Sequence, residues 1–156
     1  MLFRSTALAA RLAREKAQKI AVRTPDAIVI GSDQVASFET DIIGKPGSKP
    51  RAAAQLRRFS GQEVELLTAV CVIRTETTEA VAAVVPTTVR FRSLSDSEID
   101  TYLEVDQPFD CAGSFKAEKF GIALFESIRS DDPTALPGLP LITIVSALRS
   151  FGVTVA

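Results

Sequence analysis

Between Val64 and Arg74 both alternate faces of an extended chain are apolar: Val64, Leu66, Val70 and Val72 on one, Leu67, Ala69, Cys71 and Ile73 on the other. Such a strand is stable only in the middle of a sheet that is covered on both sides. The rest of the chain must therefore supply neighbouring strands and helical cover. With 156 residues, 46% of them hydrophobic, there is length for one core of this kind, and residues 1–156 read as a single α/β domain.

Leu8, Leu12, Ala13, Ala17 and Ile20 recur at helical spacing, predicting a surface helix over residues 6–23 with Arg11, Arg14, Glu15, Gln18 and Lys19 largely on its outer side. The stretch is basic up to its first acid, Glu15, as organelle leader segments are, but the apolar stripe favours a helix of the fold. Pro25-Asp26 breaks it. Residues 27–30 then read as a strand buried on both faces, ending in the polar cluster Gly31-Ser32-Asp33-Gln34, with residues 35–38 continuing the strand. Pro50 opens a helix that runs to Gly61 and turns Ala53, Leu56 and Phe59 inward. Residues 80–85 and 87–92 make the second arm of an antiparallel hairpin with 64–74, Pro86 marking a bend or an edge. Ser95 with Glu98 is a capping box, so a helix starts at Asp96 and stops before Pro108. Residues 122–128 read as a strand and 129–138 as a loop. The final helix, from near Leu139 to Gly152, carries Leu141, Ile144, Val145 and Leu148 at helical spacing.

Charge and composition exclude much. Eighteen Lys plus Arg against nineteen Asp plus Glu leave a net charge of −1, which gives no field that draws in a nucleic acid or an anionic membrane. There is no histidine, so His metal sites, Ser-His-Asp triads and His acid–base chemistry are absent. Cys71 and Cys111 lack metal or disulfide spacing and imply a reducing, cytoplasmic setting. No apolar run approaches the roughly 20 residues that cross a bilayer. Neither a Walker-type phosphate loop nor a dinucleotide fingerprint occurs. What remains is Asp33 beside a buried strand, Lys45 in the Gly44-Lys45-Pro46-Gly47 turn, and Lys116 with Glu118 in a polar loop next to Gly113. Acid and lysine together suit a polyphosphate: the carboxylate can hold a divalent cation and orient or deprotonate water, and lysines neutralise phosphate oxygens. Cys111, with no His near it, reads as an apolar filler, and Tyr102 and the nine Phe read as core.

Gly31-Ser32-Asp33-Gln34-Val35, Gly44-Lys45-Pro46, Leu94-Ser95, the run from Cys111 to Glu118 (Cys-Ala-Gly-Ser-Phe-Lys-Ala-Glu) and Gly138-Leu139-Pro140-Leu141 resemble, in order and separation, the Maf nucleotide pyrophosphatases. The resemblance implies a mixed sheet flanked by helices with a cleft between two lobes. It also implies cleavage of a nucleoside triphosphate between its α and β phosphates with a divalent metal, Mg²⁺ or Mn²⁺. Asp33 matches the family's proton acceptor and candidate metal ligand; Lys45 and Lys116 match lysines that neutralise the phosphates, and Lys16 matches a lysine on the helix after the first lobe, counted with the substrate-binding residues, a solvated helix charge being the alternative. Gln34 and Glu118 resemble the branch that hydrolyses 7-methyl-GTP, where an acceptor or a negative charge suits a cationic methylated guanine; a dTTP/UTP pyrophosphatase is the alternative within the family. A possible homodimer and an association with arrest of septum formation and cell division also come with the resemblance. Family members open with a strand, a Ser-x-Ser-x-x-Arg phosphate loop and a helix, and none of these is in Met1 to Thr6, so an open sheet edge with exposed apolar surface is expected, and a catalytically impaired nucleotide-binding remnant is the competing reading. Thr68-Ala69, where relatives carry Thr-Gly, and Pro137 depart from the pattern in smaller ways.

Overall fold

The computed structural model describes residues 2–156, with side chains from Arg4 onward. Their order is α1 (Leu2–Ala21), β1 (Ile28–Phe38), β2 (Asp41–Ile43), α2 (Lys49–Phe59), β3 (Glu63–Arg74), β4 (Ala80–Phe91), α3 (Asp96–Asp106), two 3₁₀ turns (Ala112–Ser114 and Phe120–Leu124), β5 (Phe125–Ser130) and α4 (Leu141–Ser150). The strands form one sheet in the order β2-β1-β3-β4-β5. β3 is its centre, as two apolar faces require. The α/β class is as expected, but every ladder among the described residues is antiparallel where a mixed sheet was implied.

Ten consecutive pairs join β1 to β3, from Ile28↔Arg74 to Ser37↔Glu65. They correct the reading of residues 31–34 as the polar end of a short strand: β3 sets Cys71, Val70, Ala69 and Thr68 opposite Gly31, Ser32, Asp33 and Gln34, so the chain stays extended throughout. Nor is the start of β1 buried on both faces, since Ile30 is 41% exposed. β2 pairs only with residues 36–38, and the outer edge of residues 28–35 carries no ladder among the described residues.

Two other elements differ from expectation. Residues 122–124 lie in a 3₁₀ turn and the strand starts only at Phe125. The cause is Gly121, which packs so tightly on the Lys116 backbone that an added Cβ would sit 2.9 Å from its carbonyl carbon. Its N–H donates to the buried Asp106 carboxylate at 3.0 Å, which holds a turn there. α4 begins at Leu141 and buries Ile144 and Ala147, with Phe151 just beyond it, leaving Leu141 exposed. The capping box at Ser95 is present as read, each side chain bonded to the other residue's backbone.

The period of two along each strand then builds the layers. Odd positions of β1 and β3 (Val29, Val35, Leu67, Ala69, Cys71, Ile73) pack under Ala9, Ala13 and Ala17 of α1. Even positions face the other side and divide into two clusters. Toward one end, Ala36, Phe38, Val64 and Leu66 meet α2, α3 and a set of rings, Phe38, Phe59, Phe91, Phe115 and Phe125, whose contacts are edge-on except for the tilted Phe59–Phe91 pair, with centroids 5.1–5.6 Å apart. Toward the other, Val70 and Val72 meet Ile144, Ala147 and Phe151. Between them lies a polar row on neighbouring strands: Ser32 and Gln34 on β1, Thr68 on β3.

A strap of chain, residues 132–138, crosses that row, and Asp132 fixes it. The buried carboxylate accepts from Thr134 N–H (3.0 Å), Thr134 Oγ1 (2.5 Å), Ile142 N–H (2.8 Å) and Thr143 N–H (3.4 Å), so it closes the strap and caps α4 together. Burial alone would push the Asp132 carboxyl up, but these bonds outweigh it and hold it below its ordinary range. Its contribution is therefore complete above the unfolded value of about 3.9 and is lost as pH falls through the lower native value. Asp132→Ala is expected to cost about 2 kcal/mol in urea unfolding at neutral pH, with the gap to the parent chain narrowing as pH falls below the ordinary carboxylate range; a gap that does not change with pH would contradict this role.

Candidate active site

The approach of α1 to β1 is set by small residues. Gly31 lies beneath the helix, where an added Cβ would collide with the Ala13 carbonyl oxygen and come within 2.6 Å of Ala17 N. Ala9, Ala13 and Ala17, all fully buried, complete the contact. So close a helix brings Lys16, one residue before Ala17, to the rim of the strand: its Nζ donates to Asp33 Oδ1 at 2.5 Å and to the Ser32 carbonyl at 3.1 Å. The lysine is largely in water, and the ion pair contributes at most about 1 kcal/mol to stability. Asp33 is more enclosed, its side chain 17% exposed. Its Oδ2 has no partner among the described residues.

Gln34, the next residue, points to the opposite face. There it lines a pocket of about 210 Å³ with Lys45, Leu66, Cys111, Phe115, Glu118 and the strap residues Leu136 and Pro137. Its Nε2 donates to Thr68 Oγ1 (2.8 Å) and to the carbonyls of Ala135 (3.1 Å) and Leu136 (3.0 Å). Ser32 Oγ lies 2.8 Å from both the Ala69 and the Gly138 carbonyls, and its single proton serves one of them at a time. Lys45 and Glu118 are exposed at the mouth and form no ion pair among the described residues. Tyr102 of α3 steadies the turn that carries Glu118 by accepting the Lys116 N–H at 2.9 Å, and burial pushes its phenol up, so it stays protonated.

Of the six residues singled out from sequence, the structure brings Gln34, Lys45 and Glu118 to one pocket and Lys16 and Asp33 to a second group across β1. Lys116 joins neither. Its ammonium turns back to the end of α3, to the Asp106 carbonyl at 3.2 Å and Asp110 at 3.7 Å. As for a cation, no cluster of three or more acidic or thiol side chains exists among the described residues. Within the Lys16–Asp33 pair, Asp33 Oδ2 is the carboxylate oxygen left without a protein partner among the described residues.

Thr68 and Asp132 were missed as parts of the site. Thr68 left a trace, as the one hydroxyl side chain inside the doubly apolar stretch of β3. Asp132 was passed over as a loop residue although Thr134, two residues on, supplies two of its four donors, and the strap left no trace because its partners Ser32, Gln34 and Thr68 lie 67–106 residues away. Cys111 lines the pocket wall, where burial and the neighbouring Asp110 raise its thiol above the ordinary value, consistent with a filler and not a nucleophile.

An antiparallel sheet with helices on both faces, a polar-rimmed pocket on one side of its β1 strand and an acid–lysine pair on the other, defines an α/β protein with two polar groups flanking one strand. The chain belongs to the family described as Maf-like protein, whose model matches residues 3–151. It is 52% identical over 142 residues to the 7-methyl-GTP pyrophosphatase of Aromatoleum aromaticum (91% of this chain, 73% of the relative). It is 52% identical over 148 residues to that of Bordetella parapertussis (93% and 72%) and 46% identical over 149 residues to that of Colwellia psychrerythraea (96% and 74%).

Gly31→Ala is expected to lift α1 from β1 and lower stability by about 1–3 kcal/mol in urea unfolding. A loss under about 0.5 kcal/mol would mean that the helix is not held as closely as described.

Proposed function

We propose that this chain hydrolyses 7-methyl-GTP, or a closely related modified nucleotide, to the monophosphate and pyrophosphate, removing it before it enters nucleic acid. The observation that carries the reading is the meeting of Gln34, Lys45 and Glu118 in one pocket, a single residue along β1 from the Asp33–Lys16 pair. The names of the relatives point the same way. The base enters the pocket, where the Glu118 carboxylate favours the positive charge that methylation adds. The triphosphate passes over the open edge of residues 28–35 toward Lys16, with Lys45 at the pocket mouth to meet its charge. Asp33 orients a water and takes its proton while the water oxygen adds to phosphorus of the α–β anhydride and the bridging P–O bond breaks. A divalent cation, Mg²⁺ or Mn²⁺, bound with the substrate supplies charge neutralisation, and Asp33 Oδ2 is the oxygen this chain offers it. Lys116 takes part only if its ammonium leaves the Asp106 carbonyl.

Both cysteines are free thiols, in keeping with a reducing cytoplasm, and no described helix is long and apolar enough to cross a membrane. A homodimer and a link to septum formation belong to the same reading, the former tested by sedimentation.

Pyrophosphate release from 7-methyl-GTP, GTP, dTTP and UTP tests the proposal directly. Turnover is expected to be fastest with 7-methyl-GTP and to fall at least about 100-fold in Asp33→Asn. Glu118→Gln is expected to narrow the preference for methylated over plain GTP. A preference for dTTP or UTP, or full activity in Asp33→Asn, would refute it.

A further inference from the structure

We infer that Thr68 is a positioning residue for base recognition: it fixes the Gln34 amide so that only the carbonyl oxygen faces the pocket, which therefore takes a purine with N–H donors on its Watson–Crick edge, guanine and not adenine. The inference deepens the function proposed above and rests on it for the identity of the pocket.

The three atoms around Gln34 Nε2 are all acceptors toward it. Ala135 and Leu136 present carbonyl oxygens. Thr68 presents a hydroxyl whose one proton is already committed to the Ala135 carbonyl at 2.8 Å. Thr68 is fully buried, so no water can reverse that assignment. An amide turned the other way would set Oε1 against the Ala135 and Leu136 carbonyl oxygens, and Thr68 could donate to it only by withdrawing its proton from Ala135; as placed, the two Nε2 protons are shared among three acceptors. The orientation is thus dictated by the network. Oε1 itself has no partner among the described residues, yet no side-chain oxygen or nitrogen sealed from solvent lacks one, so Oε1 opens to the space Gln34 lines. The pocket then offers two acceptors, Gln34 Oε1 and the Glu118 carboxylate, and one cation, Lys45. Guanine is the complement: N1–H and the 2-amino group donate, and O6 accepts. Adenine carries a bare ring nitrogen at N1, which would meet an acceptor and leave it unpaired.

The register places the device where it must be, since Gln34 and Thr68 are a directly opposed pair in the β1–β3 ladder. Asp132 contributes at one remove by holding the strap that brings the two carbonyls over them.

Binding of 7-methyl-GMP, GMP and AMP, followed by calorimetry, tests this without requiring turnover. The unaltered chain is expected to prefer GMP over AMP, and Thr68→Val, which keeps shape and loses the hydroxyl, to lower that ratio at least about tenfold. Thr68→Ser is expected to restore it. A variant that merely loosened the fold would weaken both nucleotides alike and leave the ratio unchanged. Should Thr68→Val fail to fold, Gln34→Met removes Oε1 while leaving Thr68 bonded to Ala135, and is expected to abolish the guanine preference. An unchanged GMP-to-AMP ratio in these variants, or equal binding of the two by the unaltered chain, would overturn the inference. A guanine preference that depends on Thr68 in a chain that releases no pyrophosphate would support it and refute the hydrolase reading instead.

Discussion

The ten-pair ladder between β1 and β3 is the constraint on which the rest depends. Side chains on a strand alternate between faces, so a slip of one residue would exchange Asp33 with Gln34 and send each to the wrong side of the sheet. The apolar pattern of β3 prevents that slip. Leu67, Ala69, Cys71 and Ile73 must lie under α1, and Val64, Leu66, Val70 and Val72 must meet the two clusters on the other face. The chemistry on β1 thus inherits its geometry from a strand that carries no charged group between Glu65 and Arg74.

Each face then uses a different device to finish its half of the site. On the α1 side it is the absence of side chains: Gly31 and three alanines let the helix come close enough for Lys16 to reach Asp33. On the other side it is a strap of backbone carbonyls drawn over a polar row by Asp132, with Thr68 and Ser32 as anchors. The two halves lie on opposite faces of β1, a single residue apart along the strand.

What was legible in the sequence follows from range. The central strand, the β3–β4 hairpin, the capping box at Ser95 and the inward face of α2 are set by neighbours within a few residues, and all are as read. The resemblance to the Maf family rested on several short motifs in register, and the family match bears it out. Asp33 was taken for the end of a strand because the partner that keeps it extended, Ala69, lies 36 residues on and no local signal names it. Residues 122–124 were read as strand since their apolar pattern says nothing of the close packing of Gly121 on Lys116. The anchoring of Lys116 away from the pocket, and the strap itself, depend on backbone acceptors, which leave no trace in residue identities.

The most direct measurement is a crystal structure with a 7-methyl-GTP analogue whose α–β bridging oxygen is replaced by a methylene group, so that it binds without being cleaved. The base is expected between Gln34 and Glu118, with the α-phosphate beside Asp33 and Lys16 across the edge of β1. A base lodged elsewhere, such as the larger hollow of about 400 Å³ beside Arg14 and Ile73, or a triphosphate that never reaches Asp33, would contradict the division of the site between the two faces of β1.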